Sequence, residues 1–206
     1  MSQEPIVYVV DDDPMIRESI EALLNSKSIL TRAFADASAF LEAYDPETPG
    51  CLIVDVRMPG ASGLDLQREL QRRGQVIPVI VISGHGDVPM ATRAIKSGAL
   101  DFIQKPFDTN KLIARVDEAL KQDSEQRFRK QRTRTLIARM ALLSDREREV
   151  LLGVVNGRYN KTIATELGVS VSTVEAHRRN IMRKLRAQTL YELIYIADTF
   201  WDRRSR

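Results

Sequence analysis

The feature that most constrains the fold of this chain is an apolar run that ends in one carboxylate, Cys51-Leu52-Ile53-Val54-Asp55. It is followed by Val56-Arg57-Met58-Pro59-Gly60, where Pro and Gly end the regular structure. Nonpolar residues before a single Asp are typical of a buried parallel strand that carries the carboxylate to the rim of a sheet. Asp55 is therefore a candidate active residue. An Asp in this position can also simply cap the next turn.

Similar apolar runs recur along the first 121 residues and predict further strands. They lie at Ile6–Val10, Leu30–Phe34, Leu52–Val54, Val79–Ile82 and Phe102–Ile103. Helical patterns lie between them, the first capped by Asp13 before Pro14 and the others at about 36–45, 62–73, 87–98 and 108–121, the last with Asp108 as its cap. Strands that alternate with helices in this way predict a doubly wound, flavodoxin-like α/β fold with a five-stranded parallel sheet.

Each of four predicted strands runs into polar residues: Asp11-Asp12-Asp13, Asp55, Ser83 and Gln104-Lys105-Pro106. Because ligands of such sheets bind outside the carboxyl ends of the strands, these residues are expected in one pocket. Clustered carboxylates need a cation, and an all-oxygen site suits Mg²⁺ or Mn²⁺. This set predicts a phosphoryl-transfer site in which Asp55 is the nucleophile. Lys105 would neutralise charge and Ser83 would hydrogen-bond the transferring group.

These motifs, with Asp55-Val56-Arg57-Met58-Pro59 and Lys105-Pro106 in that order, resemble the receiver domain of two-component response regulators. The resemblance covers the whole front half. It implies that Asp55 is the phospho-acceptor and that Ser83 and Lys105 assist it, with Ser83 standing where many relatives carry Thr. It further implies that Mg²⁺ is held by Asp11, Asp12, Asp55 and the carbonyl of Arg57.

Two weaker features belong to the same resemblance. Phe102 matches the aromatic switch residue of receivers, which moves inward when the hydroxyl residue, here Ser83, moves toward the phosphate. Phe102 can also be an ordinary core residue. The loop Gly84-His85-Gly86-Asp87-Val88-Pro89 resembles receivers of the FixJ type, and we interpret His85 as a solvated loop residue.

The charge of the chain is distributed unevenly, although the net charge is only +3. Residues 1–122 contain 13 Lys and Arg against 18 Asp and Glu, whereas the remainder contains 18 against 10. An acidic front half joined to a basic back half predicts two domains, of which the second faces a polyanion. The alternative is a solvated basic surface without a partner.

The connector between the halves, residues 122–143, is predicted to be helical because 121–139 contains no Gly or Pro and is rich in helix formers. Leu136, Ile137 and Met140 form a short apolar stripe that could pack on either domain or on a second subunit. The basic residues of the connector are most simply a solvated face.

The back half contains signals for four helices. Ser144–Glu147 and Thr189–Glu192 are capping boxes, each with a hydroxyl first and a Glu three residues later. Between them, Asn160 is expected to cap a short helix, 161–167, that stops at Gly168. Ser170 is expected to cap a longer helix that extends to about Arg186. The pattern predicts an all-α, four-helix unit with a helix-turn-helix at its centre.

The helix after Ser170 has one apolar face and one polar face, as expected for a recognition helix in the major groove of DNA. Val174, Ile181, Met182 and Leu185 are spaced to face a core. The predicted base contacts are Glu175, Ala176 and Arg179. The predicted phosphate contacts are Lys161, Thr173, His177, Arg178 and Arg183. For His177, a packed structural role is an equal alternative.

Three segments resemble the LuxR-type DNA-binding domain: 143–151, 160–164 and 172–177. With the receiver, the whole chain resembles a response regulator of the FixJ/NarL type, with a receiver at 1–121, a helical linker at 122–143 and a DNA-binding domain at 144–206. The resemblance implies a transcriptional regulator that takes phosphate from a sensor histidine kinase, dimerises, binds promoter DNA and activates RNA polymerase. It also implies that the unphosphorylated receiver masks the DNA-binding domain.

Composition argues against other classes of protein. One Cys cannot form an internal disulfide, and two His with one Cys give no zinc cluster, which suits the cytoplasm. Ile6–Val10 is too short for a signal peptide or membrane span, so no membrane partner is expected. An aspartate-nucleophile phosphatase of the haloacid-dehalogenase kind carries a second Asp where this chain has Arg57, and we expect no enzyme. A receiver that never takes phosphate is the other alternative.

Overall fold

The structure, a computed structural model, describes residues 4–84 and 88–202. The chain divides into two compact units that meet in sequence at Arg127 and Phe128. The first unit is a helix-flanked sheet and the second is helical. Within the described ranges, no helix is both long and apolar enough to cross a membrane. His85 lies outside the described residues.

The first unit contains the predicted doubly wound sheet, with five parallel strands in the order β2-β1-β3-β4-β5. The strands are Ile6–Val10 (β1), Leu30–Phe34 (β2), Gly50–Asp55 (β3), Val79–Ser83 (β4) and Asp101–Gln104 (β5). The helices between and after them are Pro14–Asn25 (α1), Ala37–Ala43 (α2), Gly63–Arg72 (α3), Val88–Lys96 (α4) and Thr109–Ala141 (α5). The predicted fold class is confirmed.

All six residues of β3 are buried, because helices cover both faces of the sheet. Leu52 and Val54 contribute to the apolar cluster on one face, whereas Cys51 and Ile53 contribute to the cluster on the other. A continuous apolar run is what a strand buried on both faces requires. The run that ends in Asp55 therefore forms the centre of this unit.

Two of the predicted helix caps are present in the first unit. The carboxylate of Asp13 accepts a hydrogen bond from the backbone N–H of Met15 at 2.9 Å, and Pro14 is the first residue of α1. Asp108 accepts from the N–H of Asn110 at 2.7 Å, directly before α5. Helix α5 continues to Ala141, so the predicted helix 108–121 and the helical connector form one helix.

A buried carboxylate fastens α5 to the amino end of β3. Asp123 is only 2% exposed, and its Oδ2 accepts from the N–H of Gly50 at 3.0 Å and from Nε of Arg127 at 2.7 Å. The other two nitrogens of the Arg127 guanidinium donate to the carbonyls of Glu47 and Thr48 at 2.9 and 2.8 Å. The two side chains thus satisfy backbone groups where β3 begins. We call this pair the Asp123–Arg127 anchor.

The second unit contains the last part of α5 and four further helices, Asp145–Val155 (α6), Asn160–Leu167 (α7), Val171–Leu185 (α8) and Leu190–Asp202 (α9). The predicted capping box at Ser144 is present, with both reciprocal bonds to Glu147. Ser170 caps α8 through the N–H of Thr173 at 3.1 Å. Gly168 ends α7 with a φ of 65°, in the left-handed region that glycine adopts without strain.

One predicted cap of this unit was wrong, and one predicted capping box is only half formed. Asn160 is the first residue of α7 rather than its cap, and its side-chain oxygen accepts a hydrogen bond from Arg178 at 2.6 Å instead. The second capping box is only half formed: the hydroxyl of Thr189 accepts from the N–H of Glu192, but the Glu192 carboxylate accepts from Gln188. In both cases a nearby donor competes successfully with the backbone group that the cap would satisfy.

Candidate functional site: a carboxylate–lysine pocket and a helix-turn-helix surface

The pocket lies at the carboxyl ends of β1 and β3, where the strand order reverses. Val10 and Val54 are register partners, so Asp11 and Asp55 leave the sheet side by side. Both are buried, at 1% and 5% exposure. This switch point between β1 and β3 is where open sheets of this order bind their ligands. The sheet therefore brings two carboxylates to its ligand-binding edge.

Lys105 joins these two carboxylates. Its Nζ lies 2.6 Å from Oδ2 of Asp11 and 2.7 Å from Oδ1 of Asp55. Lys105 follows β5, and its backbone N–H donates to the carbonyl of Ser83 at 2.8 Å, which places the ends of β4 and β5 together. The carboxyl ends of four strands, β1, β3, β4 and β5, thus converge as the sequence predicted.

Burial and charge oppose each other in this pocket. Burial raises the pKa of Asp11, and the hydrogen bond and charge of Lys105 reduce this shift without cancelling it. For Lys105, burial alone would lower the pKa, but the hydrogen bonds to Asp11 and Asp55 outweigh burial and the pKa is raised. One ammonium thus serves two buried carboxylates. Two carboxylates with one ammonium carry a net negative charge, which favours the binding of a second cation in the pocket.

The remaining predicted pocket residues lie around this core. Oδ2 of Asp55 accepts from the backbone N–H of Arg57 at 2.5 Å, so the backbone N–H of Arg57 faces the site while its side chain is exposed. Asp12 is exposed at the rim. Ser83 is buried, and Phe102 is half-buried beside the apolar cluster that includes Val81.

Two contacts of this region have no signal in the sequence. The hydroxyl of Ser83 donates to the thioether sulfur of Met90 at 3.9 Å, which connects the end of β4 to α4. Arg17 on α1 donates to the backbone carbonyl of Asp11 at 2.6 Å. Neither residue belongs to a motif, and spacing along the chain does not indicate either contact.

A divalent cation can be tested against these donors. All of them are oxygens, which suits Mg²⁺ or Mn²⁺. Within the described residues, no group of three or more His, Cys, Asp or Glu side chains is already arranged to hold a metal ion. Two buried carboxylates, a peptide carbonyl and water are nevertheless a donor set that Mg²⁺ commonly accepts. The residues present fit the ion.

The helix-turn-helix of the second unit presents the predicted DNA-contacting residues on α7 and α8. Val174, Ile181 and Leu185 are fully buried in the core of this unit, as predicted. On the opposite side of α8 the predicted base contacts Glu175 and Arg179 are exposed, and Ala176 is half-buried. Lys161 and Arg183 are exposed, whereas the half-buried phosphate candidates are Thr173, His177 and Arg178.

Some of these side chains already have partners within the unit. The guanidinium of Arg178 donates to Asn160 at the start of α7. The Thr173 hydroxyl lies 2.8 Å from that of Ser170. Both side chains therefore already have a hydrogen-bond partner within the unit. The buried Glu147 accepts from Nζ of Lys184 at 2.6 Å and fastens α6 to α8. Two interhelical bonds thus hold α8 in place.

An α/β unit with this strand order and pocket, joined to a helix-turn-helix unit, has the architecture of a response regulator. Residues 7–117 match the response regulator receiver domain, and residues 141–197 match the luxR family of bacterial regulatory proteins. The chain is 48% identical over 191 residues to the transcriptional regulatory protein FixJ of Azorhizobium caulinodans, covering 93% of this chain and 90% of that protein.

Two solved structures are similar over nearly the whole chain. The response regulator StyR superimposes with a TM-score of 0.91 at 40% identity, covering 95% of this chain and 99% of that one. Full-length FixJ from B. japonicum has a TM-score of 0.59 at 39% identity, covering 95% and 96%. The chain therefore belongs to the response regulators with a receiver domain and a LuxR-type DNA-binding domain, which are transcriptional regulators of two-component systems.

Proposed function

We propose that Asp55 accepts a phosphoryl group from a sensor histidine kinase and that this modification controls the DNA binding of the second unit. The observation that carries the proposal is the bridge from Lys105 to Asp11 and Asp55, at 2.6 and 2.7 Å. A nucleophilic carboxylate beside a fixed ammonium at a switch point is the arrangement that phosphoryl transfer needs.

In the proposed reaction, a carboxylate oxygen of Asp55 attacks the phosphorus of a phosphohistidine on the kinase. The phosphorus–nitrogen bond breaks, the imidazole leaves, and an acyl phosphate forms on Asp55. Lys105 loses one carboxylate partner and pairs with a phosphoryl oxygen, while the Ser83 hydroxyl donates to another. Hydrolysis of the acyl phosphate later returns the carboxylate, so the protein takes part in its own phosphorylation and dephosphorylation without being an enzyme in the usual sense.

A Mg²⁺ or Mn²⁺ ion would be held by the carboxylates of Asp11, Asp12 and Asp55 and by the carbonyl of Arg57. When bound, it supplies positive charge to the transferring group. Asp12 is exposed at the rim of the pocket, and its carboxylate would turn toward the bound ion. The burial of Asp11 supports this assignment, because a buried carboxylate gains most from a nearby cation.

The switch is proposed to run from Ser83 to α4. When Ser83 turns toward the phosphoryl group, it gives up its contact with Met90, and Phe102 occupies the space that Ser83 leaves. Phosphorylation replaces the single charge of the Asp55 carboxylate by a phosphoryl group that carries about one and a half to two negative charges, which is sufficient to bias a two-state element. The face formed by α4 and β5 then dimerises, and the receiver no longer masks the DNA-binding domain.

The dimer is proposed to place two copies of α8 in successive major grooves, with half-sites about one helical turn or a multiple apart. Arg179 reads guanine, Glu175 accepts from cytosine and Ala176 contacts a thymine methyl. Phosphates are contacted by Lys161, Thr173, His177, Arg178 and Arg183. We propose that the protein acts in the cytoplasm as an activator that contacts RNA polymerase, with domains at 1–121, 122–143 and 144–206.

The test of the phosphoryl switch is Asp55→Asn, with Asp117→Asn as the control. Asp117 is an exposed carboxylate of α5, remote in sequence from every pocket residue. Acetyl phosphate with Mg²⁺ should label wild type and the Asp117 variant but not the Asp55 variant, and sedimentation should show dimers only where label is present. A dimer formed by Asp55→Asn on the same treatment would place the switch elsewhere. The absence of label in wild type with several kinases would favour an inactive receiver.

The DNA assignment is tested after selection of bound sequences from a random pool with and without acetyl phosphate. Arg179→Ala should relax the preference at one base position and cost about 1–3 kcal/mol on the selected sequence. Lys161→Ala should weaken binding to every sequence and reduce the salt dependence by about one counterion. Equal losses for both variants on selected and random DNA would contradict the assignment of Arg179 as a base contact.

A further inference from the structure

The second unit contains a cavity of about 600 Å³ between the last part of α5 and α9. Phe128 and Leu136 of α5 line one side, and Tyr195 and Ile196 of α9 line the other. Phe128 is 67% exposed and Tyr195 is 52% exposed, so two aromatic rings stand at the solvent edge of a concave surface. A volume of this size is that of a typical small-molecule site, about 300–1,000 Å³.

The charge of this cavity has one sign. Among the described residues that line it, the charged ones are Arg129, Arg132 and Arg139, all of them basic. The α5 segment 128–141 that supplies them contains five basic residues and no acidic one. Thr133, Thr135 and Thr199 add hydroxyl groups to the lining. Apolar rings, arginines and hydroxyls in one concavity are the combination that recognises an anionic group on an apolar body.

Arg139 is held in place at the base of this arrangement. It is half-buried, and its Nη1 donates to the carbonyl of Leu185 at the end of α8 at 3.4 Å. A guanidinium has five N–H donors, so one bond to a carbonyl leaves most of its hydrogen-bonding capacity for another acceptor. An anion bound to Arg139 would therefore be connected, through the guanidinium, to the carboxyl end of the proposed recognition helix.

We propose that this cavity binds a small organic anion, a carboxylate or sulfonate on an aromatic or short aliphatic body. The phosphates of DNA would use the arginines but not the apolar wall, and a neutral apolar compound would leave the arginines unused. The described lining residues belong to α5 and α9 of the second unit, whereas Asp55 belongs to the first unit and the proposed base contacts lie on α8. The site would give the DNA-binding unit a second input, independent of the receiver.

The probe for this proposal is 8-anilinonaphthalene-1-sulfonate, whose fluorescence rises in an apolar site, titrated into the full-length protein. Two variants test the site by different means. Arg132→Glu reverses an exposed lining charge, and Thr199→Trp fills the cavity without changing the charge. Lys130→Glu is the matched control, because Lys130 is exposed on the same segment and does not line the cavity.

We expect one saturable site that naphthalene-1-carboxylate competes for. Arg132→Glu should weaken binding about fivefold or more, Lys130→Glu less than about twofold, and Thr199→Trp should abolish binding. The melting of each variant, followed by far-ultraviolet circular dichroism, verifies that both units are folded. Equal effects of the two charge reversals, or no effect of Thr199→Trp, would overturn the proposal.

Two further outcomes would assign the cavity to another occupant. Displacement of the probe by a random-sequence DNA duplex would make it part of the DNA surface. Displacement that follows protein concentration, with a matching change in sedimentation, would make it a contact between two copies of the chain. Either result overturns the small-anion site and leaves the proposed role of Asp55 untouched.

Discussion

The Asp123–Arg127 anchor gives the sharpest prediction for the first unit. Asp123→Ala leaves the buried N–H of Gly50 without its acceptor and removes the carboxylate partner of Arg127, which lies 2.7 Å away. Breaking a buried ion pair from one side costs about 3–5 kcal/mol. Asp117→Ala, on the exposed side of the same helix, should change stability by less than about 0.5 kcal/mol.

The assay has to separate the two units, and the distribution of aromatic residues allows this. Trp201 is the only Trp of the chain and belongs to the second unit, whereas Tyr8 and Tyr44 are buried in the first. The tyrosines of the second unit, Tyr159, Tyr191 and Tyr195, are already exposed, so the change in tyrosine signal on unfolding comes mainly from the first unit. Urea unfolding of Asp123→Ala should therefore shift the tyrosine signal to lower urea and leave the tryptophan transition unchanged. Hydrogen exchange at Gly50 should accelerate about 100-fold or more, the factor that about 3 kcal/mol of lost protection implies.

A double-mutant cycle with Arg127→Ala isolates the pair itself. The two side chains should couple by about 1–3 kcal/mol, since they share one hydrogen bond and meet around the same loop. Additive effects would show that each residue stabilises the loop separately. A loss below about 1 kcal/mol for Asp123→Ala, or one equal to that of Asp117→Ala, would refute the reasoning that the anchor is a buried structural pair.

Two other predictions concern the contacts of Glu147 with Lys184 and of Ser83 with Met90. The pKa of Glu147 is lowered, because hydrogen bonds from Lys184 and the backbone of Ser144 outweigh the effect of burial. The contribution of the Glu147 carboxylate to the free energy of unfolding is therefore complete above its ordinary pKa of about 4.3 and is lost as pH falls through the folded pKa. Glu147→Gln should cost about 1–3 kcal/mol of stability at pH 7 and much less at pH 3, measured in melts followed by Trp201 fluorescence. A difference independent of pH would contradict this ion pair. Met90→Leu keeps the volume but removes the sulfur that Ser83 contacts, and should increase phosphate-independent DNA binding about two- to tenfold; the exposed Met15→Leu is the control, and an unchanged Met90 variant would remove α4 from the proposed switch.

The α/β unit was predictable because its three inner strands, β1, β3 and β4, are nearly continuous apolar runs, and a strand buried on both faces tolerates little else. The convergence of the polar residues at the strand ends was predictable too, because the carboxyl ends of parallel strands lie at one edge of the sheet. The pairing of Lys105 with both Asp11 and Asp55 depends on the register of separate strands, which the sequence does not specify. The sequence predicted that Lys105, Asp11 and Asp55 share the pocket, but not the distances between the ammonium and the two carboxylates.

The errors have a different physical origin. Asn160 fits the pattern of a cap, but its side-chain oxygen can accept from any nearby donor. In the structure it accepts from Arg178 of the neighbouring helix and not from the backbone of α7. Asp123 lies in a segment of ordinary helix formers and has no local signal, because its partner Gly50 is distant in sequence. Contacts that depend on two distant segments cannot be inferred from the spacing within either one.

The two ends of β3 restrict how a signal can leave Asp55. At the amino end, the Asp123–Arg127 anchor holds Gly50, and a Cβ at Gly50 would lie only 1.9 Å from the carbonyl of Ile6. At the carboxyl end, a Cβ at Gly63 would lie 2.2 Å from the carbonyl of Asp55, so the backbone of α3 is in close contact with the strand. All six residues between are buried, and a close-packed strand held in this way does not slide. We infer that phosphorylation of Asp55 is transmitted sideways, through the Ser83 hydroxyl to α4, and not along β3.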